Sequence, residues 1–176
     1  MNFEKIVYNH KDEIVKTFQE LLQIPSVLDE SDASVGAPFG NNIRKALEYM
    51  LAKGKEDGFE VLNDEGYAGR ISYKCGNQKE SVGILCHLDV VPEGNNWTYP
   101  PYEARIVDGK IFARGTTDDK GPTIACYYAL KFIKETNIKL KKEIQIILGT
   151  DEETGWRGVN HYFKKYEMPS IGFAPD

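Results

Sequence analysis

Cysteine is scarce in this sequence: only Cys75, Cys86 and Cys126 occur, and no two of them are spaced as C-x-x-C. An odd number of cysteines without that spacing argues against a disulfide framework. No apolar run is long enough to cross a membrane, and residues 1–18 contain no apolar signal-peptide core. We therefore expect reduced thiols, a cytoplasmic location and no membrane partner.

The chain also lacks an excess of positive charge, because its formal net charge is −5. General nucleic-acid binders and proteins that bind anionic membranes need a basic face, so we expect neither function. Hydrophobic residues make up 41% and charged residues 28% of the 176 positions. This composition is typical of one globular domain with a substantial core.

The sequence does contain alternating helix-like and strand-like segments. Apolar residues recur with a helical period in residues 3–22, ended by Pro25, and again in 43–51 and 121–136. A further helix is predicted at 158–166, and strand-like runs occupy 59–63, 69–75, 81–91, 108–115, 142–150 and 170–176. The alternation predicts an α/β fold with a mostly parallel sheet flanked by helices.

Candidate metal ligands follow the predicted strands. They are His87 and Asp89, Asp118 and Asp119, Asp151 to Glu153, and Asp176. Because the carboxyl ends of parallel strands meet at one rim, these carboxylates would repel one another unless a divalent metal compensates their charge. The alternatives are a structural histidine at the first cluster and a solvated acidic turn at the third.

The spacing of His87 and Asp89 suits a metal site. Residues two apart in an extended strand point to the same side, so His87 can bind a metal while Asp89 orients it. Cys86 should face the opposite side and pack in the core.

The adjacent acids Glu152 and Glu153 can have two different roles in a metal site. One carboxylate can bind a metal while its neighbour, left free, takes a proton from the attacking water. Asp151 is then expected to be a surface or capping residue.

Three ordered stretches resemble the dinuclear zinc exopeptidases: residues 86–122, "GTDEETG" at 149–155 and "GFAPD" at 172–176. That family includes acetylornithine deacetylase, succinyl-diaminopimelate desuccinylase and dipeptidases. The resemblance is closest to the PepV-type dipeptidases, through "HLDVVP", "RGTTDDKGP" and "GFAPD".

The resemblance implies a role for each matching residue. The zinc ligands would be His87, Asp118, Glu153 and Asp176, with Asp118 shared by two ions. Asp89 would support His87, Asp119 would lie behind the ligands, and Glu152 would be the general base. The peptide bond after Asp118 is often cis in relatives. Two zinc ions are the implied cofactors, and manganese or cobalt would suit the same ligands.

The implied function is hydrolysis of the amide bond of dipeptides with a zinc-activated water, so a small peptide is the expected partner. A deacylase of N-acyl amino acids shares the same metal core and is the first alternative. The others are a metal-binding module without activity, and an unrelated α/β binding protein whose acidic rim holds magnesium or calcium. His87 argues against the last, because imidazole favours softer metals.

The resemblance also implies that relatives are much longer, with an inserted lid domain and a last zinc ligand, a histidine, far along the chain. We therefore expect residues 1–176 to be the N-terminal part of a catalytic domain, without the lid and the C-terminal part. Such a chain alone should be inactive, hold at most one metal ion well through His87, Asp118 and Asp176, and self-associate through surfaces left exposed.

Overall fold

A computed structural model describes residues 2–176 as a five-stranded sheet with helices on both faces and a separate two-stranded hairpin. The helices are α1 (Phe3–Asn9), α2 (Lys11–Leu22), α3 (Asn41–Glu56), α4 (Lys120–Glu135) and α5 (Arg157–Tyr162). The strands are β1 (Glu60–Asp64), β2 (Ala68–Tyr73), β3 (Ser81–His87), β4 (Arg105–Val107), β5 (Lys110–Phe112), β6 (Glu143–Gly149) and β7 (Ile171–Phe173). Among these helices, none is long and apolar enough to span a bilayer.

The strand order in the sheet is β1-β2-β6-β3-β7. Strand β3 pairs in parallel with both β6 and β7, whereas β2 is antiparallel to both β1 and β6. All strands of the sheet except β2 therefore point the same way. This confirms the predicted α/β fold with a mostly parallel sheet, and it places the carboxyl ends of β3, β6 and β7 on one rim.

The larger core lies between the sheet and helices α2, α3 and α4. Ile71, Cys86 and Ile146 from the strands pack there with Leu47 and Tyr127 from the helices. Cys86 is buried in this core, as predicted from its place between alternating strand residues. A smaller cluster formed by Ala68, Ile147 and Tyr162 lies on the face covered by α5. Because β6 is buried on both faces, its sequence is nearly continuously apolar.

The burial of Ile71 leads to a stability prediction. Ile71 is 0% exposed, so Ile71→Val should leave a small cavity and lower the free energy of unfolding by about 0.5–1.5 kcal/mol. The matched control is Ile138→Val, because Ile138 is 36% exposed and its substitution should change stability by less than about 0.5 kcal/mol. Urea unfolding of both variants measures the difference. Equal effects would contradict the assignment of Ile71 to the core.

One local prediction was wrong, and one short strand was missed. The helix expected over residues 3–22 is divided at His10, whose φ of −103° and ψ of 9° depart from helical values. The ring Nδ1 of His10 donates to the carbonyl of Ile6 at 2.9 Å, so the side chain competes for an acceptor of the helix. Strand β4 was not predicted, because its three residues are mostly exposed and too few to show an alternating pattern.

Candidate metal centre

The register of β3 and β6 brings the first and third of the four candidate clusters together. His87, the last residue of β3, lies opposite Gly149, the last residue of β6. Two residues after Gly149, the chain enters the loop that carries Glu152 and Glu153. Helix α4 begins at Lys120, immediately after Asp118 and Asp119. The sheet therefore positions segments of distant sequence around the imidazole of His87.

The imidazole is surrounded by carboxylates. His87 Nε2 lies 3.0 Å from Asp118 Oδ1, 3.9 Å from Glu152 Oε2 and 3.7 Å from Asp176 Oδ2. His87, Asp118 and Glu153 each offer a ligand atom within 4.8 Å of the others. The structure thus brings all four candidate ligands and the candidate base to one rim.

A divalent metal fits these residues, because His87 Nε2 is buried and has no hydrogen-bond partner among residues 2–176. The nearby Asp118 oxygen does not form a hydrogen bond with it despite the short distance. Leaving such an atom unsatisfied costs roughly 1–3 kcal/mol, which a metal ion would remove. An imidazole among carboxylates is a donor set that suits zinc, manganese and cobalt.

Asp89 holds two parts of the site together. The Nδ1–H of His87 donates to the backbone carbonyl of Asp89 at 3.0 Å, so Nε2 is the ring nitrogen that would bind a metal once it is deprotonated. The two carboxylate oxygens of Asp89 accept the backbone N–H groups of Glu152 and Glu153, each at 3.1 Å. This second contact was not predicted, since it joins residues more than sixty positions apart and has no local sequence signal.

Asp118 and Asp119 face different surroundings. The side chain of Asp118 is 57% exposed and lies at the metal rim, whereas Asp119 is fully buried. Asp119 Oδ2 accepts the backbone N–H of His87 at 2.9 Å, so it joins the start of α4 to the end of β3. Burial raises the pKa of Asp119 to about 6, although the hydrogen bond and charge of His87 act against that rise. The Asp118–Asp119 peptide bond is cis, as the resemblance implies.

The chain is similar to known proteins. Residues 83–174 match the protein family described as peptidase family M20/M25/M40. The chain belongs to this family. The putative dipeptidase YtjP of Bacillus subtilis (strain 168) is 48% identical over 176 residues, which are 100% of this chain and 38% of that protein. The chain thus spans well under half the length of this curated relative.

Solved structures of other proteins share the fold. Human carnosine dipeptidase 1 superposes with a TM-score of 0.74 at 24% identity, over 92% of this chain and 36% of its own. The YXEP protein of Bacillus subtilis, described as a dinuclear metal-binding peptidase of the M20 family, gives a TM-score of 0.64 at 15% identity. That match covers 93% of this chain and 42% of the other.

The acidic rim of this M20 chain shifts the pKa values of its members. Burial raises the pKa of both Glu152 and Glu153, and neighbouring carboxylates add to the rise while the charge of His87 opposes it. Burial alone would lower the pKa of His87. The hydrogen bond and charge of Asp89, together with the charge of Asp119, outweigh that effect and raise it to about 9.

Metal binding should therefore compete with protons. Since the pKa of His87 is above neutral pH, its Nε2 carries a proton at pH 7 and must lose it to bind a metal. We expect about one proton to be released per site at pH 7, and apparent affinity to rise up to about tenfold per pH unit until roughly pH 9. Calorimetry in buffers of different ionisation enthalpy measures the release. His10→Gln is the control, and a heat that does not depend on the buffer would contradict the prediction.

Asp151 and the other two histidines lie apart from the rim. Asp151 is 1% exposed, so the expectation of a surface residue was wrong. It caps α5 instead, which was the second option. The ring centroids of His10 and Phe132 are 5.0 Å apart. His161 stacks on Tyr67, with their ring centroids 4.0 Å apart.

Proposed function

We propose that this chain is part of a zinc-dependent dipeptidase that hydrolyses the amide bond of dipeptides. The observation that carries the proposal is the buried Nε2 of His87, which has no hydrogen-bond partner within residues 2–176 and faces carboxylates from three separate segments. The name of the curated relative supports a dipeptide substrate, and the shared fold of the solved structures supports the architecture. The free thiols of the three cysteines fit a cytoplasmic enzyme.

The residues divide into metal ligands and a base. In the intact protein, His87, Asp118, Glu153 and Asp176 would supply ligands to two zinc ions, with Asp118 shared between them. When bound, the metal would make water more acidic and polarise the scissile carbonyl. Asp89 and Asp119 hold the ligands in place through the backbone of Glu152, Glu153 and His87.

Glu152 is the proposed general base. Its side chain is 25% exposed and lies at the rim, so water and substrate can reach it. Glu152 Oε2 would take a proton from the attacking water and give it to the leaving amine. A raised pKa favours this role, because the carboxyl can hold the proton between the two transfers.

A substrate panel tests the proposal. The intact protein, loaded with zinc, manganese or cobalt, would be assayed against dipeptides and against N-acetyl and N-succinyl amino acids. We expect dipeptides to give the highest kcat/KM and a chelator to abolish the activity. A preference for N-acyl amino acids would indicate a deacylase, and turnover that survives chelation would refute a metal-dependent enzyme.

A further inference from the structure

Asp151 is a buried carboxylate that the proposed chemistry does not use. Its Oδ1 accepts the backbone N–H of Gly158 at 2.7 Å, and its Oδ2 accepts the backbone N–H and the Nε–H of Arg157 at 3.0 and 2.9 Å. Its backbone carbonyl accepts the N–H groups of Gly155 and Trp156 at 3.0 and 2.9 Å. The whole loop from 151 to 158 is therefore folded around this one residue.

The loop also packs closely against the turn between β1 and β2. A Cβ added to Gly158 would lie 2.2 Å from the carbonyl oxygen of Tyr67 and 3.0 Å from Thr150 Oγ1, so α5 cannot move closer to that turn. Thr150 in turn donates to the carbonyl of Tyr67. The hydrogen bonds of Asp151 and the close packing of Gly158 thus connect the loop to the turn between β1 and β2.

Two buried carboxylates hold the backbone around Glu152 and Glu153. The carboxylate of Asp89 accepts hydrogen bonds from the backbone N–H groups of these two residues. The carboxylate of Asp151, which directly precedes them, accepts hydrogen bonds from the backbone N–H groups at the start of α5. The charges of Glu152 and Glu153 repel each other and the neighbouring carboxylates, which would displace a loose loop. A fixed backbone resists that displacement.

We infer that Asp151 is a positioning residue that fixes Glu152 and Glu153 at the metal rim. The inference rests on the proposed function of that rim. A displacement of about 1 Å at a reacting group can reduce turnover by roughly 10²-fold, so the anchor should affect kcat more than substrate binding.

The main test is Asp151→Asn in the intact protein. An amide has one acceptor oxygen and one N–H₂ group, so at least one backbone N–H of the α5 start would face another donor. We expect kcat to fall by about 10–100-fold with KM within about threefold of wild type. The visible spectrum of the cobalt-substituted protein should change, because Glu153 shifts relative to the metal.

The matched control is Arg157→Met, which removes the Nε–H donor but keeps both backbone donors to Asp151. It should leave kcat and the cobalt spectrum near wild type. If Asp151→Asn is too unstable to purify, Asp151→Glu keeps the charge but moves the acceptor oxygens, and it should show the same spectral change.

Several outcomes would overturn the inference. One is an Asp151 variant, folded at the assay temperature, with wild-type kcat and spectrum and only a lower Tm. Another is an equal loss of kcat in Arg157→Met, which would assign the effect to the side chain of Arg157 and its ion pairs. The visible spectrum of the cobalt-substituted protein can be measured whether or not the protein is catalytically active. A wild-type protein that hydrolyses no dipeptide would therefore refute the proposed function, while a spectral change in the Asp151 variants would still support the positioning role.

Discussion

Glu152→Gln is expected to lower kcat of the intact, metal-loaded protein by about 10²–10⁴-fold while metal content and KM stay near wild type. Glutamine keeps the shape of the side chain and a carbonyl acceptor, but it cannot take a proton from the attacking water. Its backbone N–H to Asp89 is unchanged, so the loop should stay in place. Elemental analysis and initial rates with a dipeptide measure the two quantities separately.

Glu153→Gln is the matched comparison, because Glu153 is the adjacent acid and is anchored by the same carboxylate of Asp89. We expect this variant to lose metal first, and activity as a consequence, since an amide is a weaker ligand than a carboxylate. Added zinc should restore part of its activity but none of that of Glu152→Gln. The assignment of base and ligand would be reversed if Glu152→Gln lost the metal and Glu153→Gln retained it.

Asp118→Ala is expected to weaken metal binding by at least about 100-fold and to abolish turnover at low metal concentration. The proposed bridging ligand serves both ions, so its loss should affect both. Asp118 Oδ1 lies 3.0 Å from His87 Nε2, at the proposed metal site. Because the Asp118 side chain is 57% exposed, its removal should cost little packing. Metal titration of the purified variant measures the affinity, and thermal unfolding in the presence of a chelator checks the fold.

The control for this variant is Asp12→Ala, which removes an exposed acid in the first turn of α2, away from the rim. It should bind metal as the wild type does. A metal affinity of Asp118→Ala equal to that of Asp12→Ala would show that Asp118 is not a ligand. A large loss of stability without metal would instead indicate a structural role for Asp118.

The fold class was predictable because its signals are local. The apolar run of β6 and the helical period of α4 each depend on residues close in sequence, and both elements lie within two residues of the predicted bounds. The break at His10 was not predictable from periodicity, because it involves a side-chain hydrogen bond to the Ile6 carbonyl. The hairpin strand β4 has too few buried residues to produce a pattern.

The sequence by itself determined which residues are candidates for the site. The spacing of His87 and Asp89, the paired acids and the resemblance of the ordered motifs to zinc exopeptidases all follow from the chain alone. They named His87, Asp118, Glu153 and Asp176 as candidate ligands, and the structure places these at one rim.

Only the tertiary structure decided which of the acids are buried, which are exposed, and which groups each one contacts. Asp118 is exposed and Asp119 buried, and Asp151 is a buried cap although two other acids follow it directly. Local sequence sets the direction of a side chain within its own strand or turn. Burial and partners depend on contacts such as that of Asp89 with Glu152 and Glu153, which exist only because β3 and β6 pair in one particular register.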